Sequence, residues 1–171
     1  MTVHNFARSL AASNAQADNP IWLEVYRKAF PNLAAATCVR QDGWAQRGGI
    51  DRVLVLGSGK TLHVDEKVRA VDYGDVLLEY WSNAERREPG WVAKDLACDY
   101  IAYAVLPSRV CYLLPFQSLR YVWRENCGRW CEQYPRVKAD NRTYTTVSVA
   151  VPKDVLFDAL RDSMTIQWEA A

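Results

Sequence analysis

Residues 61–69 read TLHVDEKVR. Leu62, Val64 and Val68 fall on one side of a two-residue period, and His63, Asp65 and Lys67 on the other. That pattern predicts a strand with one packed face and one polar face. The run before it, DRVLVL from Asp51, is apolar and strand-forming, and the intervening GSGK is a turn. The turn is centred between Gly57 and Gly59, so the two strands are antiparallel neighbours and Asp51 falls roughly opposite Asp65. This hairpin constrains the chain more than any other feature, because it fixes which polar side chains share a face.

The rest of the chain reads as further elements around it. Asp18-Asn19-Pro20 is a helix start, and IWLEVYRKAF continues as a helix that ends before Pro31. AAATCVRQDGWAQRGGI is loop-like, with Gly43 and Gly48-Gly49. DVLLEYWS, after the Tyr73-Gly74 turn, is a third strand, and Pro89-Gly90 opens a helix over WVAKDLAC. DYIAYAVL and RVCYLLPF are two more strands, joined at Pro107-Ser108. FQSLRYVWRENCGRWCEQY is a helix whose apolar Phe116, Leu119, Trp123, Cys127 and Trp130 recur at spacings of three and four. TYTTVSVAV is a strand, and DVLFDALRDSM after Pro152 a final helix. The expected class is α/β, a mixed central β-sheet flanked by helices. Residues 1–18 read as an N-terminal extension and 19–171 as one domain.

Half of the 171 residues are hydrophobic and about a quarter are charged, the balance of a folded domain. No apolar run approaches the roughly 20 residues that span a bilayer, and MTVHNFARSLAASNAQADNP lacks the apolar stretch of a secretory signal. A cytoplasmic protein without membrane contact is the expectation. Five cysteines in such a chain read as reduced thiols, and two histidines leave little for structural zinc. The net charge of +1 does not by itself nominate nucleic acid, although residues 86–142 carry ten Lys and Arg against six Asp and Glu.

Asp51, Asp65 and Lys67 are the residue types that phosphodiester cleavage needs. The transition state gathers negative charge on the phosphoryl oxygens. Hard divalent cations held by one or two carboxylates neutralise it and activate the attacking water. A lysine beside the carboxylates orients that water or stabilises the developing charge.

GGID at 48–51, followed by VDEK at 64–67, resembles the signature of the PD-(D/E)XK, or restriction-endonuclease-like, nucleases. The order of predicted elements over roughly Asn19 to Leu106 is similar to that family's αβββαβ core. Ile50 stands where the signature often has proline. The resemblance implies a nuclease, more an endonuclease than an exonuclease, acting on duplex or branched DNA as a possible homodimer with Mg²⁺ or Mn²⁺. It implies that Asp51 and Asp65 ligate the metal, assisted by the Glu66 backbone carbonyl, and that Lys67 is the catalytic lysine. It further implies that Glu24 on the first helix supplies an additional acid, although Glu24 also stands i,i+4 from Lys28 as a surface pair. The same fold with catalysis silent, as a DNA-binding or regulatory protein, is the alternative.

Further nucleic-acid contacts are read at His63 on the reactive face, Gln46 before the glycines, Lys94 on the helix after the third strand, and Arg120 and Arg124 one turn apart. Glu79 is a second-tier acid, and Trp44 and Trp91, flanked by glycine, are the tryptophans expected at the surface. LVLGSGKT is not a phosphate loop: Leu54 occupies the position of its first glycine, and a strand follows where a helix is required.

Overall fold

The computed structural model describes residues 19–161 and 164–169. The extension read at 1–18 lies outside them, as does Asp18 of the helix start. Contacts divide the chain into two compact units where the sequence reads as one domain. The first comprises residues 19–72, 95–117 and 164–169, and the second 73–94 and 118–161.

In the first unit, helix α1 (Ile21–Ala29) begins where Asn19 Oδ1 accepts the Ile21 N–H at 3.1 Å. Glu24 sits in its first turn and Arg27 and Lys28 in its last, as the helix dipole favours. Strand β1 (Leu33–Cys38), the short helix α2 (Gly43–Gly48), β2 (Arg52–Leu56) and β3 (Thr61–Arg69) follow. The unit is completed by β6 (Tyr100–Val105), β7 (Val110–Pro115) and β10 (Met164–Gln167). These six strands form a mixed sheet in the order β1-β2-β3-β6-β7-β10. All neighbours are antiparallel except β3 and β6, which run parallel.

One face of this sheet packs on α1. Leu54, Leu62, Val64, Ala102, Ala104, Cys111 and Leu113 bury against Trp22, Val25, Tyr26 and Trp168. At roughly 1.5–3 kcal/mol for each large apolar side chain, this is what fixes the helix to the strands. A smaller cluster of Val39, Ala45 and Ile50, with Val53, holds α2 beside β2.

The second unit holds β4 (Asp75–Asn83), β5 (Glu88–Pro89), β8 (Arg136–Asn141) and β9 (Tyr144–Pro152), in the order β5-β4-β9-β8. Helix α3 (Phe116–Gln133) belongs to it from Ser118 onward, and α4 (Lys153–Ala159) follows β9. Gly90 lies so close to the Glu79 carbonyl that a Cβ would collide with backbone, so only glycine fits.

The mixed α/β class, with a mixed sheet and helices on it, stands as expected. Four local expectations are corrected. The stretch read as a loop contains β1 and α2. Its alanines hide a strand, because Ala has weak strand preference of its own and β1 forms on the edge of β2. The third strand of the core meander is therefore β1. The run DVLLEYWS is β4, which pairs in the other sheet, where Val76 and Leu78 bury alongside Val149 and Val151 of β9. The helix expected over 91–98 is a series of turns, because its N–H groups go elsewhere: Trp91 to Glu79 Oε1 and Ala97 to the Gly48 carbonyl. Two further strands, β8 and β10, lie in stretches read without structure or as helix end.

Candidate functional site

The site begins at the end of α2. Gly49 closes that helix in the left-handed conformation, φ 65°, with its N–H bonded to the Ala45 and Gln46 carbonyls. A glycine there removes the steric penalty that a side chain carries at positive φ. The chain then enters β2, and Asp51 N–H bonds the Val64 carbonyl at 2.8 Å. Arg52 pairs with Val64 and Val53 with His63, so the register sets Asp51 across from Asp65. Asp65 and Lys67, two apart on β3, share a face and pair with Ile101 and Tyr103 of β6. The face assignment of the sequence reading is the observed one.

Asp51 Oδ2 accepts the Glu66 N–H at 2.8 Å and lies 3.1 Å from Arg40 Nη2 as an ion pair. Lys67 Nζ donates to Asp65 Oδ1 at 2.6 Å. Asp65 is only 5% exposed. Burial raises its carboxyl; Lys67 opposes that, while the charge and hydrogen bond of the neighbouring Asp51 reinforce it, and the result is about 6. Cys98 borders the pair. Its thiol is pushed up to about 12, chiefly by burial and then by the Asp65 charge, so it is a neutral thiol at physiological pH.

Glu66, between Asp65 and Lys67, points to the opposite face and is equally buried at 5%. Its carboxylate accepts from Tyr26 Oη at 2.7 Å, Arg52 Nε at 2.6 Å and Arg40 Nη2 at 3.0 Å. Tyr26 is fully buried, and its hydroxyl is held well above the ordinary tyrosine range by burial and by the Glu66 charge. The Glu66 side chain thus ties β3 to α1 and to the turn after β1. Arg40 reaches both acids, Asp51 and Glu66, with one nitrogen.

The remaining expected residues are placed as follows. Glu24 is not at the site: it pairs with Lys28 at 3.0 Å and accepts the Glu169 N–H at 3.2 Å, both partners of the pair being about 40% exposed. The residue of α1 that reaches the site is Tyr26, because the buried stripe of the helix runs through Trp22, Val25 and Tyr26 and leaves Glu24 beside it. His63 is on the same face as Asp65, where its backbone N–H bonds Asp99 Oδ2 at 2.7 Å and its ring Nδ1 lies 3.9 Å from the same oxygen. Gln46 is near by, donating to the Arg40 carbonyl at 2.6 Å. Lys94, Arg120 and Arg124 belong to the second unit. Glu79, also there, bonds the Trp91 N–H. Trp44 is exposed, at 55%.

Sequence reasoning missed Arg40, Arg52 and Tyr26. Arg52 was within reach of it, since the hairpin register puts it opposite Val64, diagonal to Glu66. Arg40 carried no signal, being one arginine in an apparent loop.

The donor set fits a hydrated, oxygen-seeking divalent cation. Two carboxylates lie side by side and one of them is protonated up to about pH 6, the electrostatic conflict that such a cation relieves. The Glu66 N–H and Arg40 Nη2 approach Oδ2 of Asp51, Lys67 bonds Oδ1 of Asp65, and the two carboxylates share a hydrogen bond. Among the described residues no three His, Cys, Asp or Glu side chains form a metal-holding group. Among the described residues, no helix is long and apolar enough to cross a membrane. No protein-family model, no curated protein and no solved structure matches the chain.

Proposed function

We propose that this chain is a metal-dependent phosphodiesterase acting on DNA by the PD-(D/E)XK mechanism, an endonuclease in preference to an exonuclease. The observation that carries the reading is the convergence of Asp51, Asp65 and Lys67 on one face of the β2–β3 pair, with Lys67 Nζ 2.6 Å from Asp65. The topology supports it. Helix α1 precedes an antiparallel β1-β2-β3 meander, and β6 lies parallel to β3. The connection between β3 and β6 departs from the resemblance, carrying β4, β5 and turns in place of a single helix.

A Mg²⁺ or Mn²⁺ ion held there supplies charge neutralisation at the phosphoryl oxygens and an acidified water. Asp51 and Asp65 would hold such an ion through their carboxylates, with Asp65 in its ionised form. Lys67 is 32% exposed at its side chain, so its ammonium can reach an incoming phosphate while staying anchored on Asp65. It orients the attacking water or stabilises the oxygen that gains charge. Glu66 and Arg40 act behind these groups by holding β3 and Asp51 in place. His63 and Gln46 are the nearest further candidates for contact with the nucleic-acid backbone.

The test is incubation of the wild-type chain and Lys67→Ala with closed circular, linear and branched DNA and Mn²⁺. Cleavage of circles by the wild type, reduced about a hundredfold or more in the variant, is the expected result. No cleavage of any substrate by purified folded wild type sinks the reading.

One observation favours a second reading, a nuclease fold with catalysis silent that serves as a DNA-binding or regulatory protein. Asp51, Asp65 and Glu66 are already matched by Arg40, Arg52 and Lys67. A set balanced without a cation could be purely structural. A Mn²⁺-dependent rise in melting temperature that vanishes in Asp65→Ala argues against it.

A further inference from the structure

On the footing of the phosphodiesterase reading, we infer that the site takes one divalent cation per chain, and that the Arg40 guanidinium stands where a second would bind. A two-cation site needs carboxylate oxygens for ions about 3.5–4 Å apart, so Asp51 would have to offer both of its oxygens. Its Oδ2 is committed: the Glu66 N–H approaches at 2.8 Å and Arg40 Nη2 at 3.1 Å. A hydrogen bond and a guanidinium ion pair thus converge on that one oxygen.

Arg40 is built in, not draped over the surface. The same Nη2 is 3.0 Å from Glu66 Oε2, and the Gln46 side chain holds the Arg40 carbonyl at 2.6 Å. Its side chain is 17% exposed, and its Nε is buried with no hydrogen-bond partner. At Asp65, Oδ1 is taken by Lys67. No third acid among the described residues joins the pair to hold a second ion.

Charge points the same way. Three carboxylates face three fixed cations, so one divalent ion leaves the cluster at +2, matched to a phosphodiester and the hydroxide that attacks it. A second ion would bring it to +4 beside a guanidinium that cannot lose its proton. Arg40 is thus a positioning residue that replaces a metal with a permanent organic cation.

The measurement is Mn²⁺ titration of the full chain without DNA, following free Mn²⁺ by electron paramagnetic resonance. One equivalent is expected for the wild type. Arg40→Gln, with its fold checked by circular dichroism, should take up a second equivalent, and Arg40→Lys should stay at one. Asp51→Asn should weaken the single site by about tenfold or more. Two equivalents in the wild type, or an unchanged single equivalent in folded Arg40→Gln, overturns the inference while leaving the phosphodiesterase reading standing. If Arg40→Gln does not fold, Arg40→Lys decides: a second equivalent there overturns it. No Mn²⁺ uptake by the wild type removes both.

Discussion

Asp65 and Glu66 are neighbours on one strand and are buried to the same 5% exposure, yet the chain treats them in opposite ways. Glu66 faces α1 and accepts from Tyr26, Arg40 and Arg52, so its charge is surrounded by donors drawn from three elements. Asp65 faces the other way, with one ammonium and one fellow carboxylate for company, and its proton is held to about pH 6. The difference teaches that equal burial leaves open what surrounds an acid: the sign and number of its partners differ between the two faces. The Glu66 face is a structural clamp, and the Asp65 face holds two carboxylates against one ammonium.

The largest effect should come from breaking the clamp. Glu66→Gln leaves Arg40 and Arg52 without their shared counter-charge in a buried setting and should cost about 3 kcal/mol of stability, read from urea unfolding. A loss indistinguishable from zero would mean that the clamp is not what joins β3 to α1.

Asp65→Asn sharpens the contrast in the other direction, since removing the conflicted acid should stabilise the fold. The folded chain holds the Asp65 proton to about 6, whereas an unfolded aspartate releases it near 3.9. Between those values the folded state binds the extra proton, so wild-type stability is greatest below about pH 4 and falls as pH rises through about 6. The variant should therefore gain about 3 kcal/mol at pH 7.5 and nothing at pH 4. Thermal melts at both pH values check the sign, and equal gains at both would contradict it.

Tyr26→Phe removes one of three donors from Glu66 and should cost about 1 kcal/mol, with Mn²⁺ uptake unchanged. A lost Mn²⁺ site would show that the two faces are coupled more tightly than their contacts suggest. The smallest effect is expected at Glu24. Its partners are a surface lysine and one backbone N–H, so Glu24→Gln should leave both the melting temperature and Mn²⁺ uptake at wild-type values. A weakened Mn²⁺ response there would restore Glu24 to the metal shell.

Much of the Asp65 face could be read from the chain because its determinants are local. The two-residue period of β3 and the position of the GSGK turn set Asp51, Asp65 and Lys67 together. Both are fixed within a span of seventeen residues, from Asp51 to Lys67. Helix α1 was legible for the same reason, as were β6, β7, α3 and β9. The errors fell where local preference was weak or outvoted. Alanine-rich β1 becomes a strand only by lying on β2. β4 carries a good strand pattern, but the pattern does not say which sheet it joins. Glu24 satisfied a family expectation, while the helix rotation that puts Tyr26 inward is set by packing.

By itself, then, the sequence determined the hairpin, the division of its two faces and the acids and lysine on one of them, because side-chain alternation and turn position are short-range properties. Tertiary structure decided everything that makes those acids unequal. Tyr26 lies 40 residues from Glu66 and Arg40 lies 26 residues away, and no periodicity connects them. Ion pairing in a buried site depends on which charges the packed elements bring within about 3 Å of each other, and that distance exists only once the sheet, α1 and the turn after β1 have closed on one another.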